Sequence, residues 1–273
     1  MKRAFAAWKW SLGEVTRSYR TVVVLAALIA LWIFAAYEWL GMPAESSALL
    51  MILAFLWAVA QILAALVIIG GIVSGSAQAA VTDARSFPLA ALWTSGWKKI
   101  VTTLVFCSVS AVFVCLCSMI FDGVNEHALE VASFLTFHSE KAVSHVPIEQ
   151  IYNFIESLLW IVLSGFLLSL LLTLLQMGWS GARKRTFTLL ASCVYRAPFF
   201  TSLMSILIFG GFAYKLANWH PVVPPGFWDY TQMITRMAIS LILLSAGALY
   251  WLLALAALQL PKQDASQTPS PTS

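Results

Sequence analysis

Gly178-Trp179-Ser180-Gly181 sets a serine between glycines, the one short motif here with the form of a nucleophile site. A serine attacks only when a base within hydrogen-bond reach takes its proton. The last apolar run, 237–260, contains no histidine, and the only later one is His220. Ser180 directly precedes Arg183-Lys184-Arg185, which belongs on the cytoplasmic side, whereas His220 falls in an outer loop. A membrane thickness separates the two, so the motif is expected to be a small-residue helix exit.

The other reactive side chains point away from catalysis in the same manner. Cys107, Cys115 and Cys117 lie in one apolar run and Cys193 on the cytoplasmic side. No CxxC occurs, and residues two apart face different sides of a helix, so these are expected to be packing residues. His127, His138 and His145, at separations of 11 and 7, share one face of a continuous helix. A zinc site wants its ligands within one or two turns; a solvated or headgroup-facing stripe is expected, with no metal and no cofactor. Ion-coupled transporters place Asp, Glu, His or Arg at mid-membrane. Here the mid-membrane polar groups are Gln61, Ser108, Ser110, Ser164, Ser169 and Thr173. With the small-residue pairs Ala54/Ala58, Gly71/Gly75 and Gly165/Ser169, these suit contacts between helices. No catalytic residue is assigned, and the chain is expected not to be an enzyme.

The elements that hold these residues follow from composition. Of 273 residues, 60% are apolar and 10% charged, whereas soluble domains carry about 25% charge. A bilayer core needs roughly 20 apolar residues per helix. Six runs qualify, at about 21–40, 48–74, 100–121, 157–177, 198–217 and 237–260. Backbone groups in lipid must be satisfied within each run, so the fold class is all-α, a polytopic membrane protein with six transmembrane helices. Residues 4–19 place Phe5, Trp8, Leu12, Val15 and Tyr19 at helical spacing opposite Lys2, Arg3, Lys9 and Arg17, an interfacial amphipathic helix over 1–20. The loop 122–150 is acidic and outside, and the Pro/Ser/Thr-rich tail 261–273 is expected to be disordered.

Basic residues set the orientation. With the N-terminus inside, the cytoplasmic segments hold Lys2, Arg3, Lys9, Arg17, Arg20, Arg85, Lys98, Lys99, Arg183, Lys184, Arg185, Arg196 and Lys262. Those are 13 of the 16 Lys and Arg residues. The positive-inside rule therefore gives N-in and C-in, in a bacterial inner membrane. Arg20, Lys98, Lys99, Arg183, Lys184, Arg185 and Arg196 are candidate contacts to anionic lipid headgroups. At the outer rim Glu38, Glu156, Lys215 and Arg236 lie at one depth and invite pairing, Glu156 with Arg236 above all. No basic stripe is free of the membrane, so nucleic acid is not an expected partner.

The pairs Tyr19–Arg20, Trp97–Lys98 and Tyr195–Arg196 each follow an amphipathic stretch (4–19, 86–97 and 186–195). Three parallel units of interfacial helix plus membrane hairpin would produce this recurrence. So would the ordinary aromatic-basic boundary of inner-membrane helices.

The segments FAAWKWSLGEVTRSYR and FPLAALWTSGWKKI, with this layout, resemble polytopic bacterial proteins of unassigned function. Among these is the membrane domain attached to some glycerophosphodiester phosphodiesterases. That resemblance carries no catalytic residue over, because the catalytic domain of those enzymes is absent. The GxSG at 178–181 is similar to that of rhomboid proteases, but the histidine their later helix supplies has no counterpart in 237–260. The expected function is non-enzymatic: an accessory, scaffold or lipid-associated subunit working with other membrane-protein subunits. The alternative is a permease subunit of an ABC-type exporter, with 78–97 docking on an ATPase; an intramembrane enzyme comes third.

Overall fold

The computed structural model describes residues 2–41, 48–82, 87, 89–139, 144–219, 221 and 226–260. Among these every regular element is helical. The expectations placed on Arg85, His220, Lys262 and the tail 261–273 lie outside the described residues. In chain order the helices are α1 (Lys2–Arg17), α2 (Tyr19–Leu40), α3 (Ala48–Thr82), α4 (Leu89–Glu126), α5 (Ala128–Ser139) and α6 (Val146–Tyr195). Then come α7 (Ala197–Met204), a π-helical turn (Ser205–Gly210), α8 (Gly211–Ala217) and α9 (Phe227–Gln259).

Six stretches are long and apolar enough to cross a bilayer: Tyr19–Leu40, Ala48–Val81, Leu92–His138, Val146–Val194, Ala197–Ala217 and Phe227–Gln259. Each contains, to within a residue, one of the six apolar runs read from the sequence. Several helices exceed a membrane's need. The 50 residues of α6 would span about 75 Å at 1.5 Å per residue, against roughly 30 Å of hydrocarbon. The break comes at Gly178, whose φ of 73° and ψ of −178° interrupt the helix. That backbone region is closed to residues with a Cβ. The GWSG motif is thus a hinge between a membrane section and the basic section 179–195.

Of the three amphipathic stretches, 86–97 is not a separate helix, whereas 186–195 belongs to the section 179–195 that the break at Gly178 sets off. Residues 89–97 are the first turns of α4, and 186–195 the last turns of α6. The three aromatic-basic junctions are built in three ways. Ser18 (φ −91°, ψ 29°) bends α1 into α2, α4 runs through Trp97–Lys98 unbroken, and extended Arg196 (φ −121°, ψ −174°) separates α6 from α7.

Antiparallel packing gathers Arg20, Lys98, Lys99 and Arg183–Arg185 at one end of the bundle, the basic end; α5 lies at the other. Most of the core sits towards the basic end. One cluster joins Leu25, Ile72, Val73, Ala77, Leu171, Leu172, Leu175, Leu252, Leu255 and Ala256. A second joins Val15, Val22, Ala79, Phe87, Leu249 and Leu253. Between α3 and α4 the backbones touch: a Cβ at Gly71 would fall on the Leu92 carbonyl, and one at Gly96 on the Val67 carbonyl. Close approach through missing side chains is how helices gain van der Waals contact in lipid, where burial from water contributes nothing.

Towards the α5 end α2 and α3 are held apart by indoles. Trp32 Nε1 donates to the Gln61 carbonyl (3.1 Å) and Trp57 Nε1 to the Ala35 carbonyl (3.1 Å), while Trp39 Nε1 reaches the Ala54 carbonyl (2.9 Å). An apolar gap of about 230 Å³ is left between the two helices.

Helix α1 turns to the protein a face that shares only Val15 and part of Trp8 with its apolar stripe. Its buried residues are Ala7, Ser11, Glu14 and Val15, at the i, i+4, i+7 and i+8 positions of one face. Phe5 (67% exposed), Leu12 and Tyr19 point outward. Small side chains let α1 sit close on α9, and the large apolar ones are left for another apolar medium. Glu14, only 1% exposed, accepts from Ser18 Oγ at 3.2 Å, and Ser18 Oγ accepts from the Phe87 backbone N–H at 3.2 Å.

Candidate functional site

The fifth apolar run, Ala197–Ala217, is not one regular helix. Its middle, Ser-Ile-Leu-Ile-Phe-Gly from 205 to 210, is a π turn, a wide turn that recurs at functional positions. Against it lies α9, and the two share a seam of polar contacts. Ser205 Oγ donates to the Gly247 carbonyl at 3.0 Å, and Ser240 Oγ to the Ala213 carbonyl at 3.1 Å. Gly247 makes the fit, since a Cβ there would lie 2.5 Å from Phe209 Cβ.

Towards the basic end the seam takes in α6 and α1. Trp251 Nε1 donates to Ser202 Oγ at 3.0 Å, and Trp8 Nε1 to Thr201 Oγ1 at 2.7 Å. Gly165 of α6 makes room for Ser202, whose Oγ would be 2.5 Å from a Cβ at that position. Gln259 Nε2 donates to Ser169 Oγ at 2.6 Å; the Ser169 hydroxyl meets the Gly165 carbonyl (2.6 Å) and Cys193 Sγ (3.7 Å). The seam's groups on α9 are therefore Ser240, Gly247, Trp251 and Gln259, with Arg236 one turn beyond Ser240. The first of them recur near one face of the helix, at steps of four, seven and four.

Both ends of the seam carry unmet hydrogen-bonding capacity. At the basic end Gln259 Oε1 is buried without a partner. At the α5 end Arg236 is 9% exposed, and its Nε and Nη1 are buried with no acceptor. Helix register places Arg236 opposite the last turn of α8, whose C-terminal carbonyls favour a cation.

Among the described residues no ion pair joins the expected rim charges. Glu38 is exposed in the last turn of α2. Glu156 accepts from Trp160 Nε1 at 3.0 Å, and the Trp160 ring stands edge-on to Phe121 of α4, centroids 5.7 Å apart. That turns Glu156 towards α4, and among the described residues no ion pair joins it to Arg236. Among the described residues the histidine–carboxylate contacts are His127–Glu130 (2.8 Å) and His145–Glu149 (3.9 Å), both local. Lys215 is exposed two residues beyond Ala213, which faces α9, so it projects from the far side of α8.

At the basic end Lys98, Arg183, Lys184, Arg185 and Arg196 are exposed and Lys99 is half-buried. Arg20 lies over the Tyr19 ring, 5.9 Å from its centroid. Ser180 is exposed on the hinge segment. His138 Nδ1 rests against the Phe134 carbonyl at 3.2 Å, and Cys193 is buried beside Ser169.

Sequence reading missed the seam and the burial of Arg236 and Glu14. A signal for the seam was present: Ser240, Gly247 and Trp251 recur at helical spacing in an otherwise aliphatic run. Chemically, the seam offers hydroxyl, indole and amide hydrogen bonds and one guanidinium. Its hydroxyls meet carbonyls, indoles and an amide, a binding and bracing arrangement. Comparison with protein-family models, curated proteins and solved structures finds no match to this chain.

Proposed function

We propose that this chain is a non-enzymatic, multi-pass protein of a bacterial inner membrane, an accessory or scaffold subunit of a larger membrane complex. The reading rests on the α3–α4 hairpin. In the most apolar windows of α3 and α4 only 11% and 6% of residues are buried, against 44% in α6 and 50% in α9. Helices α3 and α4 make their closest packing with each other, while the second half of α3 also packs into the core against α9 and α6 through Ile72, Val73 and Ala77. In a bilayer the exposed apolar side chains of the first half of α3 (Leu49, Leu53, Phe55) and of α4 (Val101, Val109, Leu116) offer a long face to the helices of another protein. The basic end faces the cytoplasm in this reading. There its lysines and arginines meet anionic headgroups, each contributing about 1 kcal/mol near the surface.

The test places a photo-crosslinking residue at Val109 or Val112, both exposed on α4, in cells carrying the native membrane. One discrete protein adduct of defined mass is expected, identified by mass spectrometry. Adducts to lipid alone would overturn the scaffold reading. A stoichiometric ATPase recovered with the chain would replace it by the exporter permease.

A further inference from the structure

We infer that Arg236 is a binding site for the phosphate of a phospholipid in the leaflet at the α5 end. The inference goes beyond the accessory role and does not depend on it.

Depth comes first. Counting about 20 residues of hydrocarbon-spanning helix from Gln259 back along α9 reaches the neighbourhood of Ser240. Arg236 lies one turn further out, about 6 Å at 1.5 Å per residue. That is the glycerol and phosphate layer. The first turn of α9 agrees: Phe227, Trp228 and Tyr230 are all exposed, as aromatic residues are at a membrane interface.

Chemistry comes second. The guanidinium is a planar fork of five donors that matches a phosphate in two-point fashion. Three of those donors, on Nε and Nη1, are buried without an acceptor. Groups so buried are nearly always satisfied. The nearby carboxylates do not serve: Glu156 is turned to Trp160 and α4. Asp229, exposed on the same face of α9, is seven residues away, about 10 Å along the axis. The carbonyl end of α8 favours the charge without forming a hydrogen bond to these nitrogens. Among the described residues no acceptor meets these nitrogens, and at this depth a lipid phosphodiester is the abundant one from outside the chain. Nη2, the guanidinium nitrogen that is not walled in, marks the side from which its oxygens approach.

The test uses the full chain, delipidated in detergent. Added phosphatidylglycerol should raise the thermal unfolding midpoint by several degrees, and diacylglycerol with the same acyl chains should not. Native mass spectrometry should show one tightly held phospholipid, bound at least tenfold more weakly by Arg236→Gln and to an intermediate extent by Arg236→Lys. Lys215→Gln should bind as the wild type. Equal stabilisation by phospholipid and diacylglycerol, which needs no variant to fold, would overturn the site, as would undiminished lipid binding by Arg236→Gln. Inorganic phosphate at millimolar concentration is the remaining arm. If it reproduces the full shift in the wild type, the ligand is free phosphate and the lipid assignment fails.

Discussion

At the scale of single residues, the sharpest motif in the sequence has a mechanical use. Gly178 is required for its backbone conformation: a side-chain carbon added there would meet no atom within 4 Å, so any penalty of substitution is conformational. Gly178→Ala should therefore cost about 1–3 kcal/mol, the usual penalty for this backbone region, read as a lower unfolding midpoint in detergent. Gly13 of α1 also has nothing within 4 Å, but it stands inside a helix. Gly13→Ala should shift the midpoint the opposite way, by roughly 0.5–1 kcal/mol. Two losses of similar size would mean the hinge has no special demand for glycine. Glu14 shows the same dependence on setting. Its type and place in an amphipathic helix read as solvent-facing, yet it is buried, because its neighbours on that face are Ala7, Ser11 and Ser18 and α9 packs against them.

At the scale of elements, length and apolarity carried the most information. The six apolar runs each lie, to within a residue, inside a helical stretch of bilayer length, since an apolar run of this length has few other stable solutions in lipid. Where the helices end was less legible. Residues 89–97 have the periodicity of a surface helix, but nothing after them stops a helix, so α4 runs through, whereas 186–195 is set off from the membrane section of α6 only at Gly178. The seam was hidden for another reason. Serine bonded to a carbonyl of its own helix and serine bonded across to a neighbour look alike in sequence, and only the π turn and Gly247 select the second. The α3–α4 contact is the part most open to test. Gly96→Val puts methyl carbons against the Val67 backbone carbonyl, which cannot move aside as a side chain would. The cost should reach about 1–3 kcal/mol, as for overpacking in a core, with faster proteolysis of the hairpin. Gly210→Ala, where the added carbon meets open space, should leave both unchanged.

At the scale of the whole molecule, the charges and the packing point to one arrangement relative to the membrane. The body is tightest at the basic end, where Leu25, Val73, Leu172 and Leu255 meet, and it loosens towards α5, where α2 and α3 are spaced by indoles. Lys98, Arg183, Lys184 and Arg185 surround the tight end and are exposed. Basic residues flanking helices are retained on the cytoplasmic side, so the tight end should face inward and α5 outward. A reporter active only outside the cytoplasm tests this. Fused after Gly123 or Pro221 it should be active, because both lie beyond the α5-end limits of the apolar runs 100–121 and 198–217. Fused after Arg185 it should be silent. That position discriminates most, since α6 continues past Gly178 for a further 17 residues to Tyr195. If the section 179–195 crossed the membrane with the rest of α6, the reporter after Arg185 would be active. The hinge would then lie within a span, and the six-span arrangement would fail.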